Sequence, residues 1–317
     1  MHIPDGFLDT KTAIATTLLS GTAVAVALRR LQKNLKPSHV PLLGLSASFI
    51  FVSQMLNFPV IGGTSGHLIG AVLASVLLGP DAAILCMTAV LLIQTFIFAD
   101  GGVAALGANI LNMGVVAVLG GYPVYRILYR ILPTPRGKIV ASVFSAWLSI
   151  VLASVFCAGE LAWSGTSGWA VVFPTMTNIH MLIGIGEGLI TGIIIAAIYK
   201  TKPELLETSL ISSSPNFRQS TILYTVIFSV ALLLLVTPFV SDWPDGLETV
   251  AATLGFDARG IATNSAGALL PDYTIPGVKN ASIATIVAGL VGAVIAFGSA
   301  VIIGRILIPK SKKQTVQ

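Results

Sequence analysis

Apolar runs separated by short polar segments fill the chain from about residue 12 onward. An uninterrupted apolar run of about 20 residues predicts a helix long enough to cross a bilayer. Nine candidates follow: 12–28, 40–58, 67–79, 81–98, 103–122, 139–158, 174–198, 221–240 and 281–304. The third is short and ends at Gly79-Pro80-Asp81, where the proline forbids a continuous helix into the fourth. The pair is therefore expected as a tight helical hairpin, with a re-entrant element as the other possibility. The predicted class is an all-α integral membrane protein. The serine- and proline-rich stretch 201–220 reads as a linker, giving a seven-span unit (1–202), a linker (203–220) and a two-span unit (221–317).

Composition sharpens this picture. Apolar residues make up 55% of the 317, charged residues only 10%, and the mean hydropathy is +0.90. A soluble domain carries about a quarter charged residues, so an ordinary water-soluble enzyme is excluded, as is a disordered chain. The net charge of +5 would by itself suggest nucleic acid, but the positions of the charges argue otherwise. With the N-terminus outside, only Lys11, Arg259 and Lys279 of the 18 Lys and Arg fall on outer segments. Cytoplasmic enrichment of this kind is the positive-inside pattern, and it puts the C-terminus in the cytoplasm. The outer segments collect Asp5, Asp9, Asp100, Glu160, Asp242, Asp245, Glu248, Asp257 and Asp272. Such an acidic face concentrates cations, although turn and helix caps use the same residues.

The first nine residues hold two acids and no base, and Arg29-Arg30 follow the apolar run rather than precede it. A signal peptide has the opposite order, so the N-terminus is expected to stay. The polar tail from Lys310 reads as an interfacial anchor. Cys86 and Cys157, both in apolar runs, read as packing residues.

Chemistry enters at the N-terminus itself. The Met1 amine, the His2 amide nitrogen and the His2 imidazole can close fused five- and six-membered chelate rings on one metal ion. Planar nitrogen fields of this type suit Ni(II) and Cu(II). One planar position is left open, and only His39, His67 and His180 remain as imidazoles. His39 follows the basic loop and reads as interfacial. His67 opens the third span on the outer side, behind Gly62, Gly63 and Gly66. His180 and Glu187 sit two turns apart inside the seventh span, where ionisable residues are functional candidates by default. Gln94, Asn109 and Asn112 are the other intramembrane polar candidates. They fit either hydrogen bonding between helices or an outer shell that holds the ligands in place. No Walker-type nucleotide loop and no metalloprotease or serine-hydrolase motif occurs in the sequence.

Several motifs resemble the CbiM/NikM family, the substrate-binding membrane components of energy-coupling factor transporters for cobalt and nickel. They are Met1 to Leu8 (Met-His-Ile-Pro-Asp-Gly-Phe-Leu), Gly63-Thr64-Ser65-Gly66-His67-Leu68, Leu106 to Gly114 and Gly184 to Gly188. Trp243-Pro244-Asp245-Gly246-Leu247-Glu248, with Pro271-Asp272-Tyr273, resembles the small CbiN/NikN component. The resemblance implies a fused M–N chain and a planar site made of the Met1 amine, the His2 amide and imidazole, and His67. It also implies a transmembrane T component and two cytoplasmic ATPases as partners, in a prokaryotic cell membrane. Transported Ni(II) is favoured over Co(II), with no permanently bound cofactor. A partner-independent secondary transporter, a metal sensor and an intramembrane enzyme using His180 and Glu187 are the competing classes.

Overall fold

The computed structural model describes residues 1–206, 215–237, 240–260 and 267–308. Residues 207–214 of the expected linker and the tail from residue 309 lie outside them. The elements run α1 (Thr10–Asn34), α2 (Val40–Gln54), β1 (Phe58–Val60), β2 (Thr64–Gly66), α3 (Ala71–Leu78) and α4 (Pro80–Phe98). Then follow α5 (Leu106–Asn109), a π-helical turn (Ile110–Val116) and α6 (Ala117–Ile131), which together form one rod of 26 residues. The remainder are α7 (Pro135–Trp163), α8 (Trp169–Thr201), α9 (Pro215–Val236), α10 (Gly246–Leu254) and α11 (Ala281–Leu307). Six helices among the described residues are long and apolar enough to cross a membrane.

Two of the expected spans are shorter than the apolar pattern suggests. The second ends at Gln54, because Phe58–Val60 leaves the helix to pair antiparallel with Thr64–Gly66. Gly62 and Gly63 make the intervening turn at positive φ, which glycine adopts without strain. The third is helical only over Ala71–Leu78, about 12 Å at 1.5 Å per residue. That is less than half the hydrocarbon core, so 67–79 is not a full spanning helix. Apolar residues in 56–70 serve a hairpin and a loop instead. Gly79 (φ 80°) then turns the chain and Pro80 opens α4. The hairpin between the two helices is present, with one arm truncated.

Helix packing follows small residues. Along the α2 face of α11, Gly292, Ala296, Ala300 and Gly304 are spaced by four and lie in a largely buried stripe. A methyl group on Gly292 would overlap the Phe51 ring, which occupies the space a side chain would need. Close backbone approach through small residues is the usual glue between membrane helices. The loops sort to two ends. At one end Asp9 and Phe7 meet Ser164 and Thr166, Asp5 meets 103–105, and Ser65 meets Trp243. At the other, Arg30 pairs with Asp81 at 3.5 Å. His39 lies in the short turn Pro37–His39 that connects α1 to α2.

Candidate metal centre

The N-terminal arm is sewn into the first of these ends by backbone pairing and carboxylate caps. Asn109, at the last turn before the π-helical segment, clamps the arm at one residue. Its Oδ1 accepts from the Ile3 N–H (2.8 Å) and its Nδ2 donates to the Ile3 carbonyl (3.1 Å). The Gly102 N–H donates to the same carbonyl at 2.8 Å. Asp5 accepts from the Val103 and Ala104 N–H groups at 3.1 and 2.8 Å, capping the turn that leads into α5. Ile3 is fully buried and Met1 is 5% exposed, so the chain terminus is an interior group here.

The Met1 amine lies 3.0 Å from His67 Nε2 and 2.7 Å from Asp245 Oδ2. Two nitrogens that occupy adjacent corners around one first-row metal, each at about 2 Å, lie about 2.9 Å apart. The amine and His67 already stand at that spacing. The His2 and His67 rings face each other with centroids 5.1 Å apart. The His2 imidazole belongs to a closed hydrogen-bonded ring of four groups. Nε2 is 3.2 Å from Gln94 Oε1, Gln94 Nε2 donates to the Tyr273 hydroxyl (3.2 Å), the Tyr273 hydroxyl donates to Asp100 (2.5 Å), and Asp100 Oδ1 is 3.2 Å from His2 Nδ1. A six-membered chelate through the His2 amide uses Nδ1. A metal there takes Nδ1 from Asp100, while Gln94 keeps the Nε2 proton and so fixes the tautomer.

Sequence reasoning missed Asp100 and Tyr273 as site residues. Their placement shows in the backbone: Ala99, Asp272 and Tyr273 are the described non-glycine residues at positive φ. For a bulky Tyr at φ 53° this is a strained conformation, and it aims the hydroxyl at Asp100.

Burial lowers the proton affinity of both imidazoles. For His2, desolvation outweighs the attraction of Asp100; for His67, the Met1 charge adds to desolvation and carries it well below the usual value of 6.5. Burial thus favours the neutral ring in both, the form that binds metal. Burial works the other way on Asp245, but the Met1 charge and hydrogen bond outweigh it and hold that carboxyl well below the ordinary carboxylate range.

Asp245 has two jobs. Its Oδ1 accepts from the Leu247 and Glu248 N–H groups, both at 2.8 Å, while Glu248 returns a bond to the Asp245 N–H. Asp-Gly-Leu-Glu is thus a capping box opening α10, and Oδ2 is left for the Met1 amine. The strand leading to it docks on β2: the Ser65 N–H donates to the Pro244 carbonyl (2.8 Å) and Ser65 Oγ to the Trp243 carbonyl (2.7 Å). Asp245→Asn should cost about 1.5–3 kcal/mol of folding stability through the lost charge-assisted bond. Asp245→Ala should cost about 1 kcal/mol more through the lost helix cap. Chemical unfolding of the purified chain measures both, and equal losses would remove the cap from the account.

The other intramembrane candidates separate. Glu187 accepts from the Ile69 and Gly70 N–H groups at 2.6 and 2.9 Å, pinning the loop that carries His67. Asn112 leaves the arm alone and donates to Glu160 at 2.6 Å. His180 Nδ1 lies 2.8 Å from the Met176 carbonyl within α8. No three His, Cys, Asp or Glu side chains among the described residues converge tightly enough to hold a metal. The amine and the amide of the arm are what would complete a ligand set.

A family model described as the cobalt uptake substrate-specific transmembrane region (CbiM) matches residues 2–205, and one described as the PDGLE domain matches 219–309. The chain is 37% identical over 297 residues to a putative fused nickel transport protein NikMN of Archaeoglobus fulgidus, covering 93% of this chain and 95% of that one. It is 33% identical over 231 residues to the fused nickel transport protein NikMN of Rhodobacter capsulatus, covering 68% and 67%. A truncated transition metal transporter solved by crystallography superposes with a TM-score of 0.58 at 33% identity, covering 63% of this chain and 99% of that one.

Proposed function

Because the chain belongs to the CbiM family of substrate-specific transmembrane regions and carries a PDGLE domain, we propose that it captures Ni(II) for import across a prokaryotic cell membrane. As a member of a transporter family it is a transport component and not an enzyme. The metal is substrate, held by the Met1 amine, the His2 amide and Nδ1, and His67 Nε2. Gln94 and Asn109 act behind them, the first on the His2 ring and the second on the arm backbone. The observation that carries this reading is the buried Met1 amine 3.0 Å from His67 Nε2. A chain terminus is rarely buried, and burial beside an imidazole gives it a ligand's surroundings.

Energy comes from outside the chain in this reading. The sequence holds no Walker-type nucleotide loop, so any ATP must be hydrolysed on a partner, and membership of the CbiM family supports coupling to a transmembrane T component and two cytoplasmic ATPases. Orientation follows from charge: the site lies at the end of the bundle that gathers Asp5, Asp9, Asp100 and Asp245, and the basic termini of α1 and α8 lie at the other. Outward placement of the acidic end agrees with the positive-inside pattern.

Planar nitrogen donors favour nickel over cobalt by geometry, and by a small step in the affinity order. Cobalt is the second reading, supported by the description of the family model as cobalt uptake. Titration of the purified chain with each metal decides between them. Tighter nickel binding is expected, and tighter cobalt binding reverses the assignment. Both imidazoles and the amide must be free of the protons that metal displaces, so binding releases protons and weakens on acidification. The imidazole share of that loss falls below about pH 6.5, since burial lowers both rings from the ordinary value. Metal affinity that is flat between about pH 8 and 5 would exclude this ligand set.

A further inference from the structure

The far end of the rod that begins at Leu106 carries a cluster that metal capture does not use. Leu106 follows directly on the turn that Asp5 caps, so the rod starts at the acidic end. Arg126 lies about 30 Å further along it, a distance equal to the thickness of a bilayer's hydrocarbon core. The end of α6 and the start of α7 therefore emerge at the opposite membrane surface. Between Asp100 and Glu160 the chain carries four charged residues, Arg126, Arg130, Arg136 and Lys138. All are basic, and all belong to this end.

Tyrosines hold these charges in place. Tyr122, Tyr125 and Tyr129 form one stripe of α6, and their rings stack in sequence with centroids 6.1 and 6.0 Å apart. The Arg126 guanidinium lies 5.9 Å from the centre of the Tyr122 ring, and its Nη1 donates to the Tyr122 hydroxyl at 3.3 Å. From the first turn of α7, the Lys138 ammonium lies 5.0 Å over the Tyr129 ring, with the lysine 5% exposed. Both contacts are within cation–π range. Arg126 and Arg130 are exposed and make no ion pair among the described residues, whereas Arg30 at the same end pairs with Asp81. The bond to Tyr122 uses one of the five guanidinium donors of Arg126. Leu119, Pro123, Arg126 and Arg130 are spaced to share one helix face, and all four are exposed. That face is apolar at membrane depth and cationic where the helix emerges.

We propose that this end of α6 is a binding site for one anionic phospholipid, its phosphate held by Arg126 and Arg130 and an acyl chain laid along Leu119. Two guanidinium groups a helical turn apart repel each other until an anion lies between them, and their planar forks match phosphate oxygens two at a time. Lys138 adds its charge from behind the Tyr129 ring. Tyrosine rings with polar tips gather at the headgroup level of membranes, and stacking leaves these three little freedom to lose when a headgroup arrives. A lipid fits better than an acidic protein segment, because Leu119 lies below the arginines at hydrocarbon depth, where a lipid carries its own apolar chain. Basic seams between helices at this membrane surface are the usual sites for anionic headgroups. The site stands apart from metal capture and holds whether or not the arm binds nickel.

The test is native mass spectrometry of the full-length chain in detergent, offered phosphatidylglycerol and phosphatidylcholine with identical acyl chains. The unaltered chain should retain one phosphatidylglycerol in preference to phosphatidylcholine. Arg126→Gln combined with Arg130→Gln should weaken that retention by about tenfold. Tyr122→Phe, which releases Arg126 from the hydroxyl, should weaken it by about threefold and decides the matter if the double variant does not fold. The control is Arg29→Gln with Lys33→Gln. It removes two exposed charges of the same spacing from the same end, on a helix with no aromatic residue, and should leave retention unchanged. Equal losses in the two double variants would reduce the attraction to diffuse positive charge and overturn the site. So would equal retention of both lipids by the unaltered chain. Full retention by the α6 variants, with loss of co-purifying transporter subunits, would give the arginines to a protein partner instead and overturn it too.

Discussion

A chain carrying one extra residue before Met1 is expected to lose nickel binding by about 1,000-fold or more, while folding in the same membrane fraction. The extension turns the Met1 amine into an amide nitrogen and moves the terminal amine one residue further out. An amide nitrogen binds metal only after losing its proton, as the His2 amide does, so the extended chain would have to deprotonate two amides and bring its new amine into the site to rebuild a planar set. The added residue also has to be placed where Met1 is only 5% exposed, between His67 at 3.0 Å and Asp245 at 2.7 Å. Removing a donor and intruding on the space around it act in the same direction. Isothermal titration with nickel, on native and extended chains purified alike, measures the effect. Equal affinities would remove the Met1 amine from the ligand set.

Glu187→Ala is expected to produce the second large effect, this time on the scaffold. The carboxylate, itself fully buried, satisfies the Ile69 and Gly70 N–H groups at 2.6 and 2.9 Å. Gly70 is the cap residue of α3, so these bonds also hold the start of that short helix. Stranding buried donors costs about 1–3 kcal/mol each, which puts the loss of stability at about 2–6 kcal/mol. His67 stands two residues before Ile69, and a loosened loop carries it away from the amine. Nickel affinity should fall by about tenfold in protein that remains folded. Glu187→Gln retains one oxygen acceptor and should lie between the two. If Glu187→Ala unfolds at the same denaturant concentration as the unaltered chain, the clamp contributes nothing.

The long helices are legible in the sequence because their apolar runs exceed any length a strand or buried loop would use. The failures fall on short runs. Residues 56–70 are apolar enough to extend a helix on either side, yet Gly62 and Gly63 turn them into a hairpin that presents His67. Periodicity cannot separate these cases over so few residues. The arm and His67 are visible as chemistry in the bare sequence, since a terminal Met-His can chelate whatever fold surrounds it. Asn109 and Gln94 are visible as polar groups in apolar spans, but their partners are not. Asp100 and Tyr273 go unseen because Asp100 meets His2 across more than 90 residues of sequence and Tyr273 meets Asp100 across more than 170, through backbone at positive φ. The capping box is readable in Asp245-Gly246-Leu247-Glu248 from its spacing alone. What spacing does not reveal is that the cap has a spare oxygen and that the oxygen meets the chain's own amine.

The docking of residues 243–245 on β2 has a consequence for how such a site behaves in a cell. Because both surfaces belong to one polypeptide, they meet at an effective concentration on the order of millimolar, set by the tether and independent of expression level. Two separate polypeptides with the same surfaces would obey mass action, and the fraction of sites closed by Asp245 would rise and fall with their abundance. In the fused chain every copy that is made carries its own closure, in a fixed ratio of one to one.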